Sequence, residues 1–309
     1  LILDLQGNGG GYLNAAIDIA NEFLKEGELI VYTEGRRSPR RDFLADGNGK
    51  HQHGKLVVLV DEYSASASEI VSGAVQDWDR GVVVGRQTYG KGVSQKTIVI
   101  SDGSELLLTT HKCISPTGRC IQRDYSKGRE AYKATEMERF KSLRGGNVDT
   151  IGKRYETLHY DRPVWGGSGV TPDVLVERDT LSELYLFEQL KARNVFVQLS
   201  AKTFRLTRGN PDIMSERSMA ERIVLQAKRI GIQCKAEELL NMPLIMSTMR
   251  AEIMRQADCR LHTMLFTYRY DDYVLAALRA IICSSNCSNP HPLPLFSRSS
   301  ASRTGKKSI

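Results

Sequence analysis

Three features of this chain carry residue types that can do covalent chemistry: a serine ahead of a helix, a lysine between glycines, and a glycine run after a strand. The serine is Ser66, in Ser64-Ala65-Ser66-Ala67-Ser68-Glu69. An apolar run, Leu56-Val57-Val58-Leu59-Val60, precedes it, and its length and β-branching fit a fully buried strand. Beyond it Ile70, Ala74 and Trp78 recur at helical spacing, with Val71 and Val75 beside them. A strand that turns over small residues straight into a helix lifts one side chain to the helix N-terminus. Free backbone N–H groups and the helix dipole favour negative charge there. Ser66 followed three residues later by Glu69 is also a capping box. On this stretch alone capping is the stronger reading, and more so for Ser64 and Ser68.

A serine hydroxyl is a poor nucleophile until a base takes its proton. None of the six histidines stands in a recognisable triad arrangement. Lys91, in Tyr89-Gly90-Lys91-Gly92-Val93-Ser94-Gln95, is the better candidate base. Its flanking glycines let the backbone fold tightly and place the amine in a cleft, where burial disfavours an ammonium ion. Gln95 could hydrogen-bond the amine without adding charge. Without the serine upstream, a solvated loop lysine would be the plainer reading. Asp77 lies seven residues after Ile70, on the buried face of the same helix, where a carboxylate must find partners. It reads as a brace of the site. The run Gln6-Gly7-Asn8-Gly9-Gly10-Gly11 is neither a Walker sequence nor a dinucleotide fingerprint. It is either a plain turn or a presenter of backbone N–H groups to an oxyanion.

Elements must hold these residues in place. Residues 1–5 read as a buried strand, and Leu13, Ala16, Ile17, Ala20 and Leu24 line one face of a helix. Residues 29–33 are a second strand. Residues 34–54 read as a polar, arginine-rich loop, with low order expected over 47–49. Residues 81–85 form another short strand, and 96–100 with 105–110 a pair joined by a turn. Alternating strands and helices argue for an α/β core. Residues 118–160 are a charged excursion with a short helix expected over 134–143; turn residues over 166–173 lead into a strand at 174–176. Beyond residue 179 the pattern is helical, marked by Leu184, Phe187 and Leu190, by Met219, Ile223, Ala227 and Ile230, and by stretches 244–257 and 273–282. No catalytic spacing appears in that part, and Met242, Met246, Met249 and Met254 read as packing.

The bulk numbers exclude several classes. With 309 residues, 41% hydrophobic and 26% charged, the chain suits one large domain or a domain with an appendage. Arg298, Arg303, Lys306 and Lys307 supply four of the +7 net charges, so about +3 is left for the rest and nucleic acid is not indicated. The six cysteines form no CxxC pair, so no disulfide framework is expected. His51-Gln52-His53 has no third ligand nearby, which disfavours a metal. No apolar stretch is long enough to span a membrane. The chain opens inside a strand without a methionine, so a fragment lacking its upstream part is expected.

Taken together these motifs resemble the carboxy-terminal processing, or tail-specific, serine peptidases with a Ser–Lys dyad. The segment 64–69 is similar to their nucleophile segment, and 89–95 to their lysine segment, with Lys91 standing 25 residues after Ser66. Asp4-Leu5-Gln6-Gly7-Asn8-Gly9-Gly10-Gly11 looks like their DLR-x-N-x-GG segment, with Gln6 where arginine is usual. Leu107, Thr109 and Thr110, then Ser115-Pro116-Thr117-Gly118-Arg119, and Val170-Thr171-Pro172-Asp173 resemble later signatures. The resemblance covers about residues 1–178 and implies an α/β peptidase core of the Clp protease/crotonase-like kind. It implies Ser66 as nucleophile, Lys91 as base, Gln95 as its orienter, Gly10 and Ala67 N–H groups as the oxyanion hole, and Asp77 as a brace. Implied domains are the peptidase core over 1–178, truncated at its N-terminus with the PDZ domain absent, a helical region over 179–283, and a disordered basic tail over 284–309. No cofactor is implied. The implied partners are polypeptide substrates with unstructured C-termini, in a periplasmic or cell-envelope setting; homo-oligomers are compatible, and nucleic acid is not expected. One rival reading is a catalytically silent peptide-binding or scaffold fragment. Another is a crotonase-like acyl-CoA enzyme, which the elbow serine and paired lysine disfavour.

Overall fold

In the computed structural model, residues 1–126, 128, 130–132, 152–176, 181–256 and 271–286 are described. The expected helix over 134–143 lies outside them, as does nearly all of the tail from 284 on. The chain divides into two compact units: Leu1–Leu175 together with residues from Arg279 onward, and Val176–Leu278.

The first unit is built on a parallel sheet in the order β1-β4-β5-β10. Its strands are β1 (Ile2–Asp4), β4 (Val57–Val60), β5 (Val82–Gly85) and β10 (Val174–Leu175). The register pairs Leu3 with Val58 and Leu59 with Val84. All four residues of β4 are wholly buried, as its unbroken apolar run requires for a central parallel strand. Burying each such side chain stabilises the fold by about 1.5–3 kcal/mol. Helix α1 (Leu13–Asn21) follows β1 and helix α2 (Ala67–Asp77) follows β4. Val71 and Val75 of α2 pack into one apolar cluster with Leu5, Val58, Val60 and Val83. Ala74 joins Ala20, Leu24 and Ile30 in a second.

A second sheet is antiparallel, in the order β3-β2-β7-β6. Its strands are β2 (Leu29–Gly35), β3 (Ser38–Leu44), β6 (Val93–Val99) and β7 (Glu105–Ile114). Strand β3 overturns the expectation that 34–54 is a loop throughout. Its arginines hid it, because they read as a solvated turn; in the fold Arg40 lies 3.8 Å over the Tyr32 ring and Arg41 4.9 Å over that of Phe43. The glycine-rich stretch after it is fastened rather than loose: the Gln52 amide donates to the carbonyls of Gly47 and Gly49, and the Asn48 N–H to Asp46 Oδ1. Strand β6 begins at Val93, three residues before the expected 96–100 and inside the lysine segment. The β6–β7 hairpin exposes Ile98, Val99, Leu106, Leu107 and Leu108. A small hairpin, β8 (Arg154–Glu156) with β9 (Pro163–Trp165), completes the strands described.

The second unit is helical: α3 (Leu181–Ala192), α4 (Val195–Thr207), α5 (Glu216–Arg229), α6 (Ala236–Leu239) and α7 (Pro243–Arg255). Helix α4 was not foreseen, because its apolar positions are interrupted by Ser200 and Thr203, both buried. Met246 and Met249 are buried in the core with Leu190, Phe196 and Ile223, and Met242 packs against it. Helix α8 (Asp272–Asn286) carries the chain past 284, where a disordered tail was expected to begin. Among the described residues no helix is long and apolar enough to cross a membrane.

Candidate active site

Strands β1, β4 and β5 are neighbours running the same way, so the loops leaving their C-terminal ends lie side by side. That is where open parallel sheets place their sites. The β1 loop is the glycine run, the β4 loop is the serine elbow, and the β5 loop carries Lys91.

The first two loops are tied by Asp61, at the end of β4. Both of its carboxylate oxygens accept the Gly7 N–H at 3.0 Å, and Oδ1 also accepts the N–H groups of Tyr63 and Ser64. Ser64 Oγ donates to the Leu5 carbonyl at 2.7 Å. From the other side, the Asn8 carbonyl accepts the Ala65 N–H and the Ser68 hydroxyl, each at 3.0 Å. The buried Ser64 and Ser68 are thus structural bonds between loops.

Ser66 differs from both. It stands at the N-cap of α2 with φ 55° and ψ −111°, a conformation that costs a non-glycine residue about 1–3 kcal/mol. It occupies the N-cap of a capping box with Glu69, whose Oε2 accepts the Ser66 N–H at 2.8 Å.

Glu69 also holds the lysine loop. Oε2 accepts the Lys91 N–H at 2.8 Å; Oε1 accepts the Gly90 N–H at 2.7 Å and the Thr88 hydroxyl at 2.5 Å. The backbone nitrogens of Ser66 and Lys91 share one oxygen, so they lie no more than twice 2.8 Å apart. Burial pushes the Glu69 carboxyl above its ordinary range, against the pull of those four hydrogen bonds.

The strap 121–123 packs on the same loop. The Arg123 N–H donates to the Gly90 carbonyl at 3.1 Å, and the Gly92 N–H to Gln122 Oε1 at 2.9 Å. These contacts explain the flanking glycines. A Cβ on Gly90, which has φ +90°, would meet Arg123 Cγ at 2.7 Å, and one on Gly92 would meet Gln122 N at 2.8 Å. Thr88 Oγ1 completes the packing by accepting the Val170 N–H at 2.7 Å.

The sequence candidates fall out as follows. Lys91 is half-buried, and no hydrogen bond joins its amine to the Ser66 hydroxyl among the described residues. Gln95 makes no hydrogen bond with the amine. It lies exposed on β6, just past a register irregularity between Ser94 and Gln95. A bulge re-aims the side chains that follow it, which residue spacing does not reveal. Gly10 touches the elbow: with φ +92°, a Cβ there would meet Ala65 O at 2.5 Å and Ala67 N at 2.7 Å. The Ala67 N–H makes no hydrogen bond among the described residues, whereas the Gly10 N–H donates to Asn8 Oδ1 at 3.0 Å. Asp77 is wholly buried and held by the 115–119 turn. Its Oδ2 accepts from Ser115 Oγ, Thr117 N and Thr117 Oγ1 at 2.5, 3.0 and 2.8 Å. Arg119, also wholly buried, approaches Asp77 Oδ1 at 2.7 Å, but its Nη2 is aligned to donate to Gln76 Oε1, so the contact with Asp77 is one of charge. Among the described residues no cluster of His, Cys, Asp or Glu could hold a metal ion. Sequence reading missed the linking roles of Asp61, Glu69 and Thr88. The Asp-x-x-Ser spacing of Asp61 and Ser64, an Asx-turn signal, was the one clue to the first.

The model of Peptidase family S41 matches residues 1–128. A carboxyl-terminal-processing protease of Synechocystis is 45% identical over 122 residues, which is 40% of this chain and 28% of that protein. The chloroplastic carboxyl-terminal-processing peptidase 3 of Arabidopsis thaliana is 44% identical over 119 residues, 38% of this chain and 22% of its own. A probable CtpA-like serine protease of Staphylococcus epidermidis is 34% identical over 167 residues, 53% of this chain and 32% of that one. The matched part of this chain thus spans about a quarter to a third of these relatives. Among solved structures, the photosystem II D1 C-terminal processing protease aligns at 28% identity with a TM-score of 0.41, over 57% of this chain and 34% of that one. The segment that carries Ser66 and Lys91 lies inside the region that matches peptidase family S41 and the carboxyl-terminal-processing proteases.

Proposed function

We propose that the protein is a serine endopeptidase working through Ser66 and Lys91. In this reading Lys91 takes the hydroxyl proton as Ser66 attacks a peptide carbonyl. The Ala67 N–H, joined by the Gly10 N–H once Asn8 releases it, stabilises the oxyanion; the protonated lysine returns its proton to the leaving amine, and water then hydrolyses the acyl-enzyme. The observation that carries the reading is the shared carboxylate: Glu69 holds the backbones of Ser66 and Lys91 on one oxygen. Asp77 serves as a brace through the 115–119 turn. The relatives are named for carboxyl-terminal processing, and in this reading the substrates are polypeptides cut near unstructured C-termini in an envelope or exported compartment.

A silent peptide-binding module is the second reading, and it draws on the unbonded Ser66–Lys91 pair and the occupied Gly10 N–H. Catalytic hydrogen bonds are often long before substrate arrives, which favours the enzyme. Cleavage of a reporter with a disordered tail, by the full-length protein and its Ser66→Ala variant, decides between the two. The expected result is loss of cleavage with folding unchanged. Retained cleavage, or loss only in Ser64→Ala or Ser68→Ala, overturns the assignment.

A further inference from the structure

An arginine that no step of the proposed reaction uses packs closely on the lysine loop. Arg123 is 7% exposed, and none of the described ion pairs includes it. Its backbone N–H donates to the Gly90 carbonyl, and its stem lies where a Gly90 Cβ would stand. The guanidinium lies over two aromatic rings, 4.6 Å from the centroid of Tyr89 and 4.1 Å from that of Tyr132. Nη2 donates to the Tyr132 hydroxyl at 2.6 Å, while Nε is buried with no hydrogen-bond partner. Tyr132 in turn stacks on Tyr125, with centroids 4.5 Å apart. A buried guanidinium is normally matched with a carboxylate. Here ring faces and one phenol take that place, and one of those rings is two residues from Lys91.

We propose that Arg123 is a positioning residue for Lys91: a clamp, closed by Tyr89 and Tyr132, that fixes the Tyr89-Gly90-Lys91 backbone on the side that Glu69 does not reach. The inference rests on the peptidase reading of the same site. Glu69 fixes this loop by its N–H groups and Arg123 by a carbonyl and an aromatic face, so the two anchors oppose rather than duplicate each other. A lysine base must meet the serine hydroxyl within hydrogen-bond reach, and a displacement of about 1 Å is enough to lower turnover by about a hundredfold. A planar cation over two rings requires arginine. Lysine offers a point charge and cannot lie flat on either face.

The test uses the full-length protein with Arg123→Met, Arg123→Lys, Tyr132→Leu and the double variant Arg123→Met/Tyr132→Leu. Active serines are counted by titration with a fluorophosphonate, and turnover of a disordered reporter is expressed per titrated site. The expected result is a ten- to hundredfold fall in kcat for Arg123→Met with KM within about twofold, and partial recovery in Arg123→Lys. The double variant should be no worse than Arg123→Met, because both substitutions open one clamp. If Arg123→Met does not fold, Tyr132→Leu, at a half-buried position, should show the same kcat loss on its own. An unchanged kcat per titrated site overturns the clamp, as does a double variant whose losses simply add. An unsubstituted protein that binds the reagent but turns over no peptide refutes the peptidase reading itself, and with it the clamp as a device of that reaction.

Discussion

Replacing Glu69 tests the shared carboxylate directly, and the structure sets the size of the effect. Four donors converge on it, two per oxygen. In Glu69→Gln, an amide nitrogen at the Oε1 position can donate to the Thr88 hydroxyl, which then gives up its own bond to Glu69, and the Gly90 N–H meets a donor and is left unpaired. The reverse orientation aims the amide at the N–H groups of both Ser66 and Lys91 and is disfavoured. One buried donor left unpaired costs about 1–3 kcal/mol. Glu69→Ala strands the buried donors of Thr88 and Gly90 together, about 2–6 kcal/mol, while the N–H groups of half-buried Ser66 and Lys91 gain access to water. Urea unfolding of the three proteins reads these differences. The pH dependence gives an independent sign. Because burial raises the Glu69 carboxyl, the folded state holds its proton more tightly than the unfolded chain does. Its contribution to stability is complete below the unfolded carboxylate range and is lost as pH rises through the folded value. Glu69→Gln should therefore flatten that fall in stability with rising pH. Two results refute the reasoning: Glu69→Ala within about 0.5 kcal/mol of the parent, or an unaltered pH slope in Glu69→Gln.

Two further substitutions probe the same site. Lys91→Arg should be as inactive as Lys91→Ala in single-turnover cleavage, since a guanidinium does not give up a proton in a protein; substantial activity would make the lysine an electrostatic group and move the base elsewhere. Asp77→Ala leaves a wholly buried Arg119 beside neutral partners and should cost about 3–5 kcal/mol in urea unfolding, with a smaller loss for Asp77→Asn because the amide oxygen can still accept from the 115–119 turn.

The α/β core was legible because β4 is an unbroken apolar run and α1 and α2 keep helical spacing. The helix start at Ser66 was legible because small residues and a Glu at the third following position mark one, and it was the family resemblance that proposed a nucleophile rather than a cap. What sequence could not show was which backbone groups a buried carboxylate would bind. Glu69 looked like half of a cap, yet it reaches Thr88, Gly90 and Lys91 across nineteen to twenty-two residues. Gln95 shows another limit: spacing from Lys91 suggested reach, whereas in the structure Gln95 lies exposed beside a register irregularity in β6, with no hydrogen bond to Lys91. Strand β3 escaped for a chemical reason, since arginines that lie over aromatic rings satisfy a strand while reading as a solvated loop.

The β6–β7 hairpin has a consequence for handling the protein in solution. Strand β6 ends its sheet, so among the described residues its outer row of N–H and C=O groups has no neighbouring strand. Both faces of the hairpin are apolar near the tip, where Thr97-Ile98-Val99-Ile100 and Leu106-Leu107-Leu108-Thr109-Thr110 carry no charge and no proline. Such windows on an open edge are templates for adding further strands. At high concentration this piece of the protein should therefore stick to itself edge to edge, and a lysine at Val99, the most exposed of these side chains, is the single change best placed to keep it dispersed.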